Sequence, residues 1–135
     1  MRKYSVISLF SGAGGLDLGF IHTGKYEIIF ANEISESAAK TYSANIGLKF
    51  MKCYDKEVIE AEKGTILACD IAKADFNNLK AYEVDVIIGA PPCQDFSIAR
   101  GPDWERRVIE VRRGQLYAHF VRALATLQPK IFVFE

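Results

Sequence analysis

The chain has 135 residues, 50% of them hydrophobic, with 17 basic and 17 acidic side chains and a formal net charge of zero. That is enough chain to bury one core and too little for two comfortable domains, so one domain over residues 1–135 is expected. The charge balance excludes the strong positive field of a self-sufficient nucleic-acid binder. No run of about eighteen apolar residues offers a membrane span, and three cysteines without a CxxC pair argue against a disulfide framework and a four-cysteine zinc site, in keeping with a reducing compartment.

The first twenty residues begin with two basic side chains and an apolar stretch, but Ser8, Ser11, four glycines and Asp17 interrupt it, so no export signal is read. Residues 6–10 instead form a short apolar run ending in the turn Ser11-Gly12-Ala13-Gly14-Gly15. Leu16, Leu18, Phe20 and Ile21 follow before Gly24, which suits strand, tight turn and helix. A second strand over 26–31 meets Asn32-Glu33. Ser35 is placed to cap a helix carrying Ala38, Ala39 and Tyr42, and Gly47 to end it in the left-handed conformation. Short apolar runs at 65–68 and 84–88 read as the third and fourth strands. Residues 115–127 carry Leu116, Phe120, Leu124 and Leu127 at helical spacing before Pro129, and 131–134 supply a fifth strand. This alternation implies an α/β fold, a mostly parallel sheet with helices on both faces, whose ligands sit beyond the carboxyl ends of the strands. Residues 95–113 carry no confident element, and loops of that length are usually functional or disordered.

Two strand ends bear chemistry. Gly12, Gly14 and Gly15 allow a sharp turn and close approach to a ligand, and Glu33 follows at about the interval of a ribose-binding acid. The third glycine of a dinucleotide fingerprint would fall at Asp17, whose carboxylate would oppose a pyrophosphate, so a phosphate-free cofactor such as S-adenosylmethionine fits better. A simple strand-to-helix turn is an equal reading of the glycines alone. At the fourth strand end, Pro91-Pro92 present Cys93 where an open sheet binds ligands, and a thiolate there can form a reversible covalent adduct. Cys53 and Cys69 read as small buried side chains. His22 and His119 have no partner at metal-ligand spacing, and no metal is assigned.

Phe10-Ser11-Gly12-Ala13-Gly14-Gly15 and Pro91-Pro92-Cys93-Gln94, in this order, resemble the first and fourth signature motifs of cytosine-C5 methyltransferases. Glu33, Asp70-Ile71, Arg113-Gly114-Gln115-Leu116 and the terminal Phe134-Glu135, similar to the start of a Glu-Asn-Val motif, extend the resemblance over the whole chain. The resemblance implies a Rossmann-like, S-adenosylmethionine-dependent methyltransferase fold, here ending after its fifth strand, and transfer of a methyl group to C5 of a flipped-out cytosine in duplex DNA. It makes Cys93 the nucleophile and Glu135 the group that holds or protonates cytosine N3. It sets Phe10, Gly12, Gly14, Gly15, Glu33, Ile34, Asp70, Ile71, Pro92 and Leu116 around the cofactor. Residues 95–113 become a catalytic loop closing over DNA, with Ser97, Arg100 and Arg113 as backbone contacts. The family continues past this point into a target-recognition domain, so a missing C-terminal region or a partner polypeptide is expected, with an apolar edge exposed at 131–134. A prokaryotic, cytoplasmic protein is expected. The alternatives are a non-catalytic cofactor-binding subunit and a methyltransferase acting on tRNA cytosine.

Overall fold

The computed structural model describes residues 2–92 and 116–135; Met1 and residues 93–115 lie outside it. Strands β1 (Tyr4–Leu9), β2 (Tyr26–Glu33), β3 (Lys49–Lys52), β5 (Thr65–Ala68), β7 (Val86–Gly89) and β8 (Ile131–Phe134) form one sheet in the order β3-β5-β2-β1-β7-β8. Every neighbouring pair is parallel. Two further strands, β4 (Ile59–Glu60) and β6 (Ala74–Asp75), make a separate two-stranded ribbon. The sheet therefore has six strands where five are expected. The addition is β3, and the ribbon has no counterpart in the sequence reading.

Parallel strands covered on both faces need apolar residues on both, and the chain supplies two core clusters. Val6, Ile28, Ala31, Ile66, Val86 and Ile88 pack on one face with Ala39 and Tyr42 of helix α2 (Glu36–Ile46) and with Leu16, Phe20 and Ile21 of helix α1 (Gly15–His22). Ile7, Leu9, Ile29, Phe30, Leu67 and Ile87 pack on the other with Phe120 and Ala123 of helix α3 (residues 116–127). Ile29 and Phe30 are consecutive yet share a face. Register moves from Val6 opposite Ile28 to Ile7 opposite Phe30, and the extra residue is accommodated as a bulge.

Local chemistry sets the helix ends as expected. The Ser35 hydroxyl accepts from the Ala38 amide at 3.3 Å, a cap worth about 1 kcal/mol, and Gly47 ends α2 with φ 95°. Gly14 caps α1 with φ 98°, and a β-carbon there would sit 2.5 Å from Ile46 Cδ1 and 2.9 Å from the Tyr42 ring. Gly89 is required for a similar reason, since its β-carbon would lie 2.6 Å from the Phe120 ring. Both glycines let a helix close onto the sheet beside the carboxyl ends of β1 and β7.

The cysteine reading is corrected. Cys53 and Cys69 form a disulfide with Cα atoms 5.7 Å apart. Lys52 pairs with Ala68 at the ends of the neighbouring strands β3 and β5, so the next residue of each strand is a cysteine facing its counterpart. The pairing was invisible while β3 was.

Candidate active site

Strand order reverses at β1, which has β2 on one side and β7 on the other, and open α/β sheets bind ligands beyond the carboxyl ends at such a point. A cavity of about 320 Å³ lies there. Its walls come from the end of β1 (Phe10, Gly12), of β2 (Asn32, Glu33, Ile34), of β5 (Cys69, Asp70, Ile71) and of β7 (Ala90, Pro92), with Leu116 closing it from α3. Of the residues assigned to a cofactor from sequence, Phe10, Gly12, Glu33, Ile34, Asp70, Ile71, Pro92 and Leu116 are brought together here, while Gly14 and Gly15 stand behind the wall at the start of α1.

The turn after β1 is tightly wound. Phe10 has φ 53° and Gly12 φ 56°, both left-handed, a conformation costly for phenylalanine and natural for glycine. Glu33 clamps this turn: one carboxylate oxygen accepts from the Gly12 amide at 3.0 Å and the other from the Ser35 amide at 2.6 Å. A carboxylate has about four acceptor positions, so two remain for a ligand's hydroxyl groups. Ile34 beside it is 71% exposed, an apolar side chain left uncovered at the cavity.

Asp17 does not face the cavity. It is buried beneath the turn, accepting from the Tyr42 hydroxyl beside Ser8. Burial raises its carboxyl above the usual range, with Tyr42, Ser8 and its own amide opposing, while burial first and then Asp17 push the Tyr42 hydroxyl up. A carboxyl group in the first turn of α1 occupies the positive end of the helix from within, which leaves little there to attract a phosphate.

On the β5 side, one Asp70 carboxylate oxygen accepts from the Ala72 amide at 2.9 Å and caps the short 3₁₀ turn Ile71–Lys73. The Asn32 side chain, 2% exposed, donates to the Leu67 and Cys69 carbonyls at 2.9 and 3.0 Å. Asn32, Cys69 and Ala90 are wall residues that sequence reasoning missed. Each adjoins a chemically marked neighbour, Glu33, Asp70 or Pro91, and that adjacency was the available signal.

The β7 end leads toward the candidate nucleophile in sequence. Gly89 is followed by Ala90, buried Pro91 and Pro92, and the chain then continues into Cys93. Cys93, Ser97, Arg100 and Arg113 lie outside the described residues. Glu135 follows β8, its amide donating to the Gly89 carbonyl at 3.0 Å, so it stands at the carboxyl edge shared with Ala90.

A parallel sheet with a cavity across its switch point and a clamped acid at the second strand end defines a Rossmann-like α/β protein with a candidate ligand site at its carboxyl edge. The family itself follows from comparison: residues 4–135 match the C-5 cytosine-specific DNA methylase family, and the chain belongs to it. It is 66% identical over its whole length to DNA (cytosine-5-)-methyltransferase M.ApeKI of Aeropyrum pernix, covering 29% of that protein. It is 36% identical over 99% of its length to type II methyltransferase M.NgoFVII of Neisseria gonorrhoeae, covering 30% of it. Among solved structures, a prophage-encoded DNA modification methyltransferase (E. coli) superposes with TM-score 0.67 at 30% identity, over 98% of this chain and 31% of its own. The chain thus spans about three tenths of the length of these relatives.

Proposed function

We propose that the protein transfers a methyl group from S-adenosylmethionine to C5 of a cytosine in duplex DNA through a covalent adduct on Cys93, acting together with further polypeptide in the same chain or a second one. One observation carries this reading: the wall that holds the clamped Glu33 carboxylate also contains Ala90 and Pro92, whose next residue is Cys93.

The cavity fits that donor. Phe10, Ile34, Ile71 and Leu116 offer apolar surface to a purine, Glu33 offers acceptors to a ribose diol, and Asp70 offers one to an exocyclic amine. Among the described lining residues there is no lysine or arginine to neutralise a phosphate. When bound, the donor supplies an electrophilic methyl group on a cationic sulfonium.

The chain's own residues prepare the acceptor. The Cys93 thiolate adds to C6 of a cytosine turned out of the stack, where its ring face is accessible. Glu135 donates a proton to N3 as the ring takes up charge, leaving C5 electron-rich. After C5 takes the methyl group, a base removes the C5 proton, the thiolate is expelled, and N3 returns its proton to Glu135, which restores the aromatic ring. Ser97, Arg100 and Arg113 contact DNA phosphates, a role suited to their polar and cationic side chains. The cytoplasm of a prokaryote gives access to duplex DNA and suits the archaeal and bacterial relatives.

The dependence on further polypeptide rests on β8. Ile131, Phe132, Val133 and Phe134 are 54%, 57%, 37% and 39% exposed, an apolar strand at the sheet edge with no strand beyond it among the described residues. The remaining polypeptide covers this edge and reads the target sequence. In the complete protein or complex, Cys93→Ser is expected to lower methyl transfer from labelled donor to DNA by at least about a thousandfold while binding of S-adenosylhomocysteine is unchanged. Turnover retained in that variant would contradict the assignment.

A further inference from the structure

The cavity wall formed by Asp70 and Ile71 is not part of the main sheet. Strand β5 ends at Ala68, and the turn Ile71–Lys73 leads into β6, which among the described residues pairs only with the two residues of β4. Within the turn, the Lys73 amide donates to the Asp70 carbonyl at 3.0 Å and the Ala74 amide to the Ile71 carbonyl. A segment with so little ladder support needs another anchor if its side chains are to stay aimed at a ligand.

That anchor comes from α3. Arg122 Nη2 donates to the Ile71 carbonyl at 2.9 Å and Nη1 to the Ala74 carbonyl at 2.8 Å, spanning the turn from end to end. Its Nε donates to His119 Nδ1 at 3.2 Å, and its guanidinium carbon lies 4.7 Å from the centre of the Phe76 ring. Every nitrogen of the fork is engaged, and each neighbour belongs to this turn, to the residues just after it or to the preceding turn of α3. An ammonium could replace the charge but could not span two carbonyls in this planar geometry. The same helix carries Leu116 at the cavity wall, so the contact fixes one wall of the cavity against another.

We propose that Arg122 is a positioning residue for the donor site: by holding the Ile71 and Ala74 carbonyls it keeps Asp70 and Ile71 in place to receive the adenine end of the cofactor. The inference rests on the reading of the cavity as an S-adenosylmethionine site and adds to it a residue outside the cavity wall.

The test is calorimetric binding of S-adenosylhomocysteine to the complete natural protein and to Arg122→Lys and Arg122→Ala, with hydrogen exchange followed along the backbone. Arg122→Lys is expected to bind about tenfold more weakly, with faster exchange confined to the amides of residues 72–74. Millimolar ethylguanidinium is expected to restore part of the affinity of Arg122→Ala, a rescue that a packing role would not show. Normal binding by the unaltered protein together with an unchanged affinity of Arg122→Lys would overturn the positioning role. Accelerated exchange spread over the whole sheet would do the same, because it would mark a general loss of stability. If the unaltered protein did not bind the probe at all, the donor reading itself would fail.

Discussion

Strands β5 and β8 are each four residues long, apolar and paired in parallel, yet every residue of Thr65–Ala68 is buried and every residue of Ile131–Phe134 is exposed. The difference is one of neighbours. β5 lies between β3 and β2, beneath α2 on one face and Phe76 and Leu79 on the other, whereas among the described residues β8 has β7 alone beside it and Tyr117 and Phe120 of α3 against its aromatic rings. An apolar strand in an α/β sheet is best stabilised when both faces are covered, and an exposed apolar edge is a site for further pairing. Among the described residues, the side of the sheet that builds the cavity is covered, while the side that carries Glu135 presents an exposed edge.

That contrast can be broken or sharpened by substitution, the largest effect coming from the disulfide. It joins β3 to β5 across a separation of 16 residues, and a loop of that length implies about 3 kcal/mol of stabilisation. Cys53→Ser, or a reducing agent, is expected to lower the melting temperature by roughly 10 °C. An unchanged melting curve would show that β5 owes its burial to packing alone. Next comes Glu33→Ala, which frees the Gly12 and Ser35 amides and removes the acceptors at the cavity. A loss of S-adenosylhomocysteine affinity of roughly ten- to a hundredfold by calorimetry is expected, and less than threefold would dissociate the clamp from the ligand.

A smaller effect is expected at the far end of β7. The Asp85 carboxylate accepts from the Ser5 amide at 2.8 Å and from Arg2 at 2.8 Å and pairs with Lys130 at 2.9 Å, tying β1, β7 and the approach to β8 together. Burial works against the charged form, but Ser5, Lys130 and Arg2 outweigh it and hold the group at about 2. A carboxyl whose folded value lies below its unfolded one stabilises the fold above the unfolded value and loses that effect as pH falls through the folded value. Urea titrations should therefore lose roughly 1–2 kcal/mol between about pH 5 and pH 2, discounted because Arg2 and Lys130 are exposed, and Asp85→Asn should flatten the loss. The smallest effect is expected from Phe132→Ser, which should leave donor binding within twofold while raising solubility, as measured by the concentration at which light scattering sets in. A large fall in binding would mean that the cavity depends on the exposed edge after all.

What could be read in the sequence was what local chemistry writes. Ser35 and Gly47 declare the ends of α2 because a cap hydroxyl and a left-handed glycine act within a few residues, and the glycine turn, Glu33, Asp70 and Pro92 converge because carboxyl ends of parallel strands always share one edge. Strand β3 was not legible. Lys49-Phe50-Met51-Lys52 is short, flanked by lysines and half-exposed at a sheet edge, so its pattern resembles a loop, and with it went the disulfide, which depends on register between strands distant in sequence. Arg122 was equally hidden, because an arginine on a helix gives no sign in sequence of which carbonyls it will meet. Gly14 was read for its freedom to turn, and the close packing at Gly14 and Gly89 could not be read at all, since it depends on Tyr42, Ile46 and Phe120, which the β-carbons they lack would strike.

The central claim, that the chain leaving this cavity wall supplies the covalent nucleophile to cytosine, is tested most directly by incubating the complete protein or complex with S-adenosylmethionine and duplex DNA carrying 5-fluorocytosine at the target position. Fluorine at C5 cannot leave as a proton, so the adduct should persist, and peptide mass spectrometry should find it on Cys93. An adduct on another residue, or none in a preparation that methylates ordinary DNA, would contradict the account.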